Sequence, residues 1–424
     1  MSTGNSSHLV VRHSLPLLEE MLAESPVVVV QGARQVGKST LVAQLVEQHG
    51  GKLFSLDDET IREVALANPV EFVEQNPGGV LALDEVQNLP RLLSTIKVSV
   101  DANRRPGRFL LTGSADLLHV AGVSESLAGR AETLHLRGLS QGERSGVHDD
   151  FIAWLAQAGS SQPRSFATTD YPTVIAEGGY PEAIRRTIRS RKRWFDNYCR
   201  SVTSHDAAVV SGLTDLDRLD VLLRLLAATT SHELVLAHVS RQTAIPERSL
   251  PAYLRLLDDL YLTQRLPAWG RNLAKRVVAR PKALVADPGL AAHLTGATPE
   301  VLSDILQRNR LGDLLESFVT AELAKQQTWS DADFRLFHFR DSQGVEVDLV
   351  AELPDGRVIA IEVKASVSLA RTDFAGLGFL RDRLGSAFVQ GVVLYTGTEE
   401  VPWGDRLRGL PVSSLWQHER AGLS

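Results

Sequence analysis

Gly32-Ala-Arg-Gln-Val-Gly37-Lys38-Ser39 sets two glycines, a lysine and a hydroxyl at the spacing G-x-x-x-x-G-K-[ST]. Such a loop turns backbone N–H groups toward phosphate oxygens. Gly32, Arg34, Gln35, Val36, Gly37, Lys38, Ser39 and Thr40 are therefore the candidate nucleotide-binding residues. Lys38 would neutralise the β- and γ-phosphates of ATP, and the Ser39 hydroxyl would hold Mg²⁺. Asp84 ends "VLALD" and supplies a second carboxylate on the magnesium side, while Glu85 beside it can orient or deprotonate the attacking water. Ser114 closes "LLTGS", where a polar side chain can sense the γ-phosphate or cap the following "ADLLHV". Arg130 in "SLAGRAE" is a candidate arginine finger, in cis or for a neighbouring copy, which leaves a homo-oligomer open.

A second group of chemistry-bearing residues lies in "VEVDLVAELPDGRVIAIEVKAS", two strands joined by a Pro-Asp-Gly turn. Alternation along a strand puts Glu346 and Asp348 on one face, and Glu362 with Lys364 on one face of the next strand. Val345, Val347, Ile361 and Val363 are expected to fill the other face. Carboxylates at close range repel unless solvated, paired or metal-bound. Either they gather Mg²⁺, or Lys364 pairs with Glu362 or Asp348 in a structural salt bridge.

Strands and helices must position both groups. The β-branched run Val27–Val30 leads into the glycine loop, and an amphipathic helical pattern follows it. "LFSLDD", "VLALDEVQ", "RFLLTGS" and "ETLHLRGL" follow at spacings that leave room for crossover helices, so a parallel α/β sheet is expected. After about residue 145 the pattern turns to helices and loops. There "RRTIRSRKRWFDNYCR" interleaves Arg185, Arg186, Arg189, Arg191, Lys192, Arg193 and Arg200 with Trp194 and Tyr198. That mixture suits a phosphate backbone with stacked bases, or a solvated helix face over a buried aromatic. "LVLAHVSRQTAIPERSLPAYLRLLDDLYLTQRLPAW" has helix-turn-helix spacing, with Leu250, Leu254 and Leu257 on the packed side and a wing strand after them. Arg248, Ser249 and Arg255 would face DNA if the module reads a groove; packing between domains is the other role. Further on, "NRLGDLLESFVTAELAKQQ" packs through Leu311, Leu314, Leu315 and Phe318, with Glu316 beside that stripe.

The 424 residues are too many for one ordinary domain, and 43% hydrophobic content is enough to bury real cores. Cys199 is the single cysteine, which excludes a disulfide framework or a Cys-based zinc site and fits a reducing cytoplasm. No run of about 20 apolar residues suggests a membrane span, and the N-terminus has no signal-peptide core. A net charge of -6 confines any nucleic-acid surface to a local patch.

"GARQVGKSTL", "FSLDDETIREVA", "LDEVQNLP", "LLTGS" and "SLAGR", in that order, resemble a prokaryotic family of AAA-type P-loop ATPases with a C-terminal domain of restriction-endonuclease-like fold. Ala33 departs from the family's usual proline, which alters loop stiffness more than chemistry. The resemblance runs over nearly the whole chain and identifies Glu316, Asp348 and Glu362-x-Lys364 with the PD-(D/E)XK constellation. It implies metal ligation by the three acids, Lys364 near the attacking water, and a peripheral Glu346.

The expected architecture is an α/β chain in three parts: a parallel-sheet P-loop AAA-type ATPase domain (1–145), a helical and winged-helix region (146–270) and a PD-(D/E)XK nuclease-like α/β domain (271–424). One expected function is ATP hydrolysis joined to a Mg²⁺-dependent nuclease or nucleic-acid-binding domain. The other is a nucleotide-switched DNA- or protein-binding module whose nuclease-like domain is inactive.

Overall fold

Four consecutive valines disfavour helix and suit a strand buried on both faces. Val27–Gln31 forms such a strand, β1, with all five residues buried. The structure, a computed structural model, describes residues 10–114, 127, 129–157, 164–210, 213, 215–272, 276 and 279–418. Strands β2 (Lys52–Ser55), β3 (Leu81–Asp84), β4 (Phe109–Gly113) and β5 (Ala131–His135) join β1 in an all-parallel sheet of order β2-β3-β4-β1-β5. Val28 and Val30 pack into a central core that continues into the rest of the protein, and Val27 and Val29 into a second cluster. The "ADLLHV" helix that Ser114 was expected to cap, and part of "SLAGR", lie outside the described residues.

Helices dominate the middle of the chain. Leu236–Thr243 and Leu250–Asp259 form the expected helix pair, with Leu250, Leu254 and Leu257 buried. β6 (Thr263–Leu266) then pairs antiparallel with β7 (Lys282–Val285). The expected boundary at 270 therefore falls inside a hairpin and is corrected: the ladder from Thr263↔Val285 to Leu266↔Lys282 makes both sides one unit.

The last part runs helix Arg308–Gln326, β8 (Arg335–Arg340), β9 (Glu346–Glu352), β10 (Val358–Lys364), helix Ala375–Leu384, β11 (Phe388–Tyr395), β12 (Val401–Pro402) and β13 (Leu407–Pro411). Its mixed sheet has the order β12-β13-β11-β10-β9-β8, antiparallel from β8 to β10 and parallel from β10 through β11 to β13. Helix Arg308–Gln326 buries Leu314, Leu315 and Phe318 as expected, but Ser317, Thr320, Glu322, Lys325 and Gln326 are buried too. Its polar side is covered by the segment that follows β5. Glu322 Oε2 accepts Gln141 N–H at 2.8 Å, and Gln326 Oε1 accepts Phe151 N–H at 2.9 Å. Among the described residues no helix is long and apolar enough to cross a membrane.

The apolar residues of the acidic hairpin do not share one face, contrary to simple alternation. Ile361 and Val363 join the central core, whereas Val347 and Val345 pack in an outer cluster. The ladder accounts for this: β8 and β9 shift register between Phe337 and Phe339, and the regular β9–β10 pairing ends at Ile361↔Leu349.

Arg12 binds three elements together. It donates to Val36 O at 3.0 Å and to Arg137 O at 2.7 Å, and pairs with Glu143 at 2.8 Å. Glu143 is buried and closes a capping box with Ser140 at the start of helix Gln141–Ser145. Removing the guanidinium leaves a buried carboxylate without its counter-charge. Arg12→Ala is therefore expected to lose on the order of 3 kcal/mol, read as a drop in the denaturant midpoint; an unchanged midpoint would refute the role.

Candidate nucleotide site and carboxylate cluster

The glycine loop joins β1 to helix Lys38–His49. Gly37, at φ +101°, and Gln35, at φ +64°, take the left-handed region that turns successive N–H groups inward. A Cβ at Gly32 would lie 2.1 Å from Leu136 O, because Leu136, just after β5, is held to Gln31 O by its N–H. Lys38 is buried, and its ammonium donates to Gly32 O and Ala33 O, both at 3.0 Å. Burial lowers its pKa, against the opposing charges of Glu85 and Asp84. Ser39 Oγ donates to Asp84 Oδ1 at 3.1 Å, and Thr112 Oγ1 donates to the same oxygen.

Glu85 follows with a left-handed backbone (φ +57°), and its N–H donates to Thr112 Oγ1 at 3.0 Å. Gln87 donates through its side-chain amide to Glu85 and, at 3.0 Å, to Ser114 Oγ. The structure thus brings together Lys38, Ser39, Asp84, Glu85 and Ser114. It adds Thr112 and Gln87, which fall inside "LLTGS" and "LDEVQNLP" but carry no role assigned from sequence. Beside Gly37 and Thr40 opens a cavity of about 390 Å³, lined also by Val10, Arg12, Gln44 and Arg185. Arg34 pairs with Asp206 at 2.7 Å.

Arg130 is not with them. It precedes β5, whose Ala131 pairs in register with Val27 at the start of β1, so about 16 Å of strand separates it from the glycine loop. Its guanidinium meets Asp101 at 2.8 Å through two hydrogen bonds. The arginine-finger reading in cis is corrected on this geometry.

The basic helix Ile188–Arg200 is mixed. Arg191 is buried against Glu177 and Ala183 O, and Tyr198 is buried with Trp194 stacked on it, so these three are packing residues. Arg185, Arg189, Lys192, Arg193 and Arg200 are exposed, as are Arg248 and Arg255 of the helix pair.

In the C-terminal domain the acids do meet, but around a lysine that sequence reasoning missed. Lys282 Nζ lies 2.8 Å from Glu316, 3.1 Å from Glu346 and 4.0 Å from Asp348. Lys364 pairs with Glu362 at 2.7 Å, and Asp348 accepts Val363 N–H at 2.8 Å. Glu316, Asp348 and Glu362 are expected to hold one metal ion; among the described residues no group of three or more His, Cys, Asp or Glu is arranged to do so as these side chains stand. Glu346, expected to be peripheral, is part of the cluster. A lysine opening "KALV", 34 residues before Glu316, gave no signal.

Residues 24–145 match the family described as an AAA domain. Together with the parallel sheet and the Lys38–Ser39–Asp84 geometry, this decides the fold of the first part. Residues 24–145 therefore have the parallel α/β fold of an AAA-type P-loop domain. Residues 168–301 and 311–415 match two domains of unknown function, DUF8612 and DUF4143. The chain is similar to the uncharacterized proteins Rv2008c of Mycobacterium tuberculosis and Mb2031c of Mycobacterium bovis. Each is 27% identical over 408 residues, covering 95% of this chain and 84% of the relative. Among solved structures it is similar to the Walker-type ATPase PABY2304 of Pyrococcus abyssi (TM-score 0.41, 16% identity, 68% of this chain and 96% of that one). It is also similar to AMPPCP-bound DnaA from Aquifex aeolicus (TM-score 0.28, 11% identity, 61% and 89%).

Burial, then the charge of Asp348, raises Glu362 to about 8, against the pull of Lys364. A carboxyl raised on folding stabilises the fold most below its unfolded pKa, and that contribution is lost as pH climbs to about 8. Glu362→Gln should therefore gain melting temperature over the wild type as pH rises from about 5 to 8. A pH-independent difference between the two proteins would show that Glu362 titrates as an ordinary surface acid.

Proposed function

We propose that this chain is an ATP-hydrolysing switch whose C-terminal domain responds to the nucleotide state. The hydrogen bond from Ser39, in the glycine-loop helix, to Asp84 at the end of β3 carries this reading. Ser39 and Asp84 are the residues that would hold Mg²⁺, and the donor set of one hydroxyl and one carboxylate fits that hard cation. When bound, Mg²⁺ would offset the charge of the β- and γ-phosphates.

The chain's own residues supply the rest. Lys38 exchanges its bonds to Gly32 O and Ala33 O for phosphate oxygens. Glu85 orients the attacking water and takes up its proton, and Gln87 holds its carboxylate in place. Ser114, bonded to the same glutamine, senses the transferring phosphoryl group. The adjoining cavity of about 390 Å³ suits a nucleoside.

The nucleotide site is wired to the other domains. Tyr261 O–H donates at 2.9 Å to Gln31, the residue before Gly32, and Arg12 grips the loop at Val36 O. A change in the loop is therefore felt by the β6–β7 hairpin and by the segment against helix Arg308–Gln326. In this reading the C-terminal domain, with the exposed arginines of the middle region, binds DNA or a protein partner.

A second reading, a nuclease, is favoured by one observation. A helix, three antiparallel strands, a helix and a parallel strand succeed one another around Asp348 and Glu362-x-Lys364, the order expected of a PD-(D/E)XK domain. The Lys282 ammonium among the acids argues against metal-dependent cleavage in this arrangement.

Purified protein with ATP and Mg²⁺ tests the first reading. Lys38→Ala is expected to abolish nucleotide binding, and Glu85→Gln to keep binding while losing hydrolysis by about 100-fold or more. Gln87→Ala should lower kcat with little change in KM. Full turnover by Glu85→Gln would sink the role assignment.

A further inference from the structure

Lys282 opens β7, and its side chain is 1% exposed. The three carboxylates near its ammonium come from two other elements: Glu316 from helix Arg308–Gln326, and Glu346 and Asp348 from β9. The ammonium is buried, so these acids stand in for most of the water it has lost. Its own pKa rises because Glu316, Asp348 and Glu346 together outweigh the effect of burial.

A second feature marks the neighbourhood as cation-seeking. Glu362 Oε1 is held by Lys364, but Glu362 Oε2 is buried and has no hydrogen-bond partner among the described residues. A buried carboxylate oxygen without a donor is costly, and a cation is one group that satisfies it. A divalent ion needs oxygen ligands at roughly 2.0–2.6 Å around one centre, and an ammonium among the same oxygens both fills that centre and repels the ion.

We propose that Lys282 is the resident cation of this cluster and competes with a divalent metal ion for Glu316, Glu346 and Asp348. The acids are thus arranged for an ammonium supplied by the middle region, and the C-terminal domain is closed to metal while the β6–β7 hairpin is seated. The hairpin follows Tyr261, which touches Gln31 beside the glycine loop, so one short element reaches both charged sites.

Mn²⁺ titration of nucleotide-free protein, read by calorimetry and by the EPR signal of free Mn²⁺, tests this independently of ATP turnover. Lys282→Met is expected to gain a single site roughly tenfold or more tighter than anything in the wild type. Adding Asp348→Asn to that variant should abolish the site. Equal Mn²⁺ affinity in wild type and Lys282→Met overturns the proposal, as does a gained site that survives Asp348→Asn. If Lys282→Met does not fold, Lys282→Met with Glu316→Gln decides, because it removes both buried charges of the closest pair. Recovery of cooperative melting supports the pairing, and failure to recover overturns it.

Discussion

Glu322, Lys325 and Gln326 sit at the end of one helix with almost no access to water, and the placement of the domains depends on satisfying them. Lys325 pairs with Glu322 at 2.6 Å and donates to Leu139 O at 2.9 Å; Gln326 also donates to Asp149 and to Leu415 O. A buried charge or amide left without partners costs several times what an ordinary hydrogen bond contributes. The segment 139–151 therefore has few places to lie other than across this helix. Burial raises the pKa of Glu322, with Lys325 opposing, which is the electrostatic mark of how dry this junction is.

Because the junction is polar and specific, it fixes direction as well as distance. An apolar face could slide by a side chain at small cost, whereas the hydrogen bonds of Gln141, Phe151 and Trp329 allow one register. Arg12 continues the same network to Val36 O in the glycine loop through Glu143. The helix that carries Glu316 is thus linked by hydrogen bonds to the loop that carries Lys38. The central hydrophobic core, which includes Val42 and Leu45 behind that loop and Leu314 and Ile361 in the last domain, fills the space around the network.

The two charged sites resolve their repulsion differently. Asp84 is oriented by neutral hydroxyls of Ser39 and Thr112, which leaves its negative charge available to a cation beside the loop. Asp348 and Glu316 instead face ammonium groups, and burial raises the pKa of both. The first arrangement is open to a ligand; the second already has its counter-charge inside the fold.

Sequence by itself determined what depends on neighbours along the chain. The glycine loop, β1 to β5, the buried leucines of the helix pair and the acidic hairpin all follow from local spacing, because backbone conformation and alternation are set within a few residues. Tertiary structure alone decided which charges meet. Lys282 reaches Glu316 across 34 positions, and Glu346 joins the cluster through the register of β8 and β9. Arg130 directly precedes β5 and lies at the end away from the loop, where the parallel pairing of Ala131 with Val27 puts it. Gln87 and Thr112 meet around Asp84 and Glu85 only because β4 lies beside β3. Pairing across a sheet and ion pairing inside a core are set by which surfaces pack together, and no local pattern in the chain encodes that.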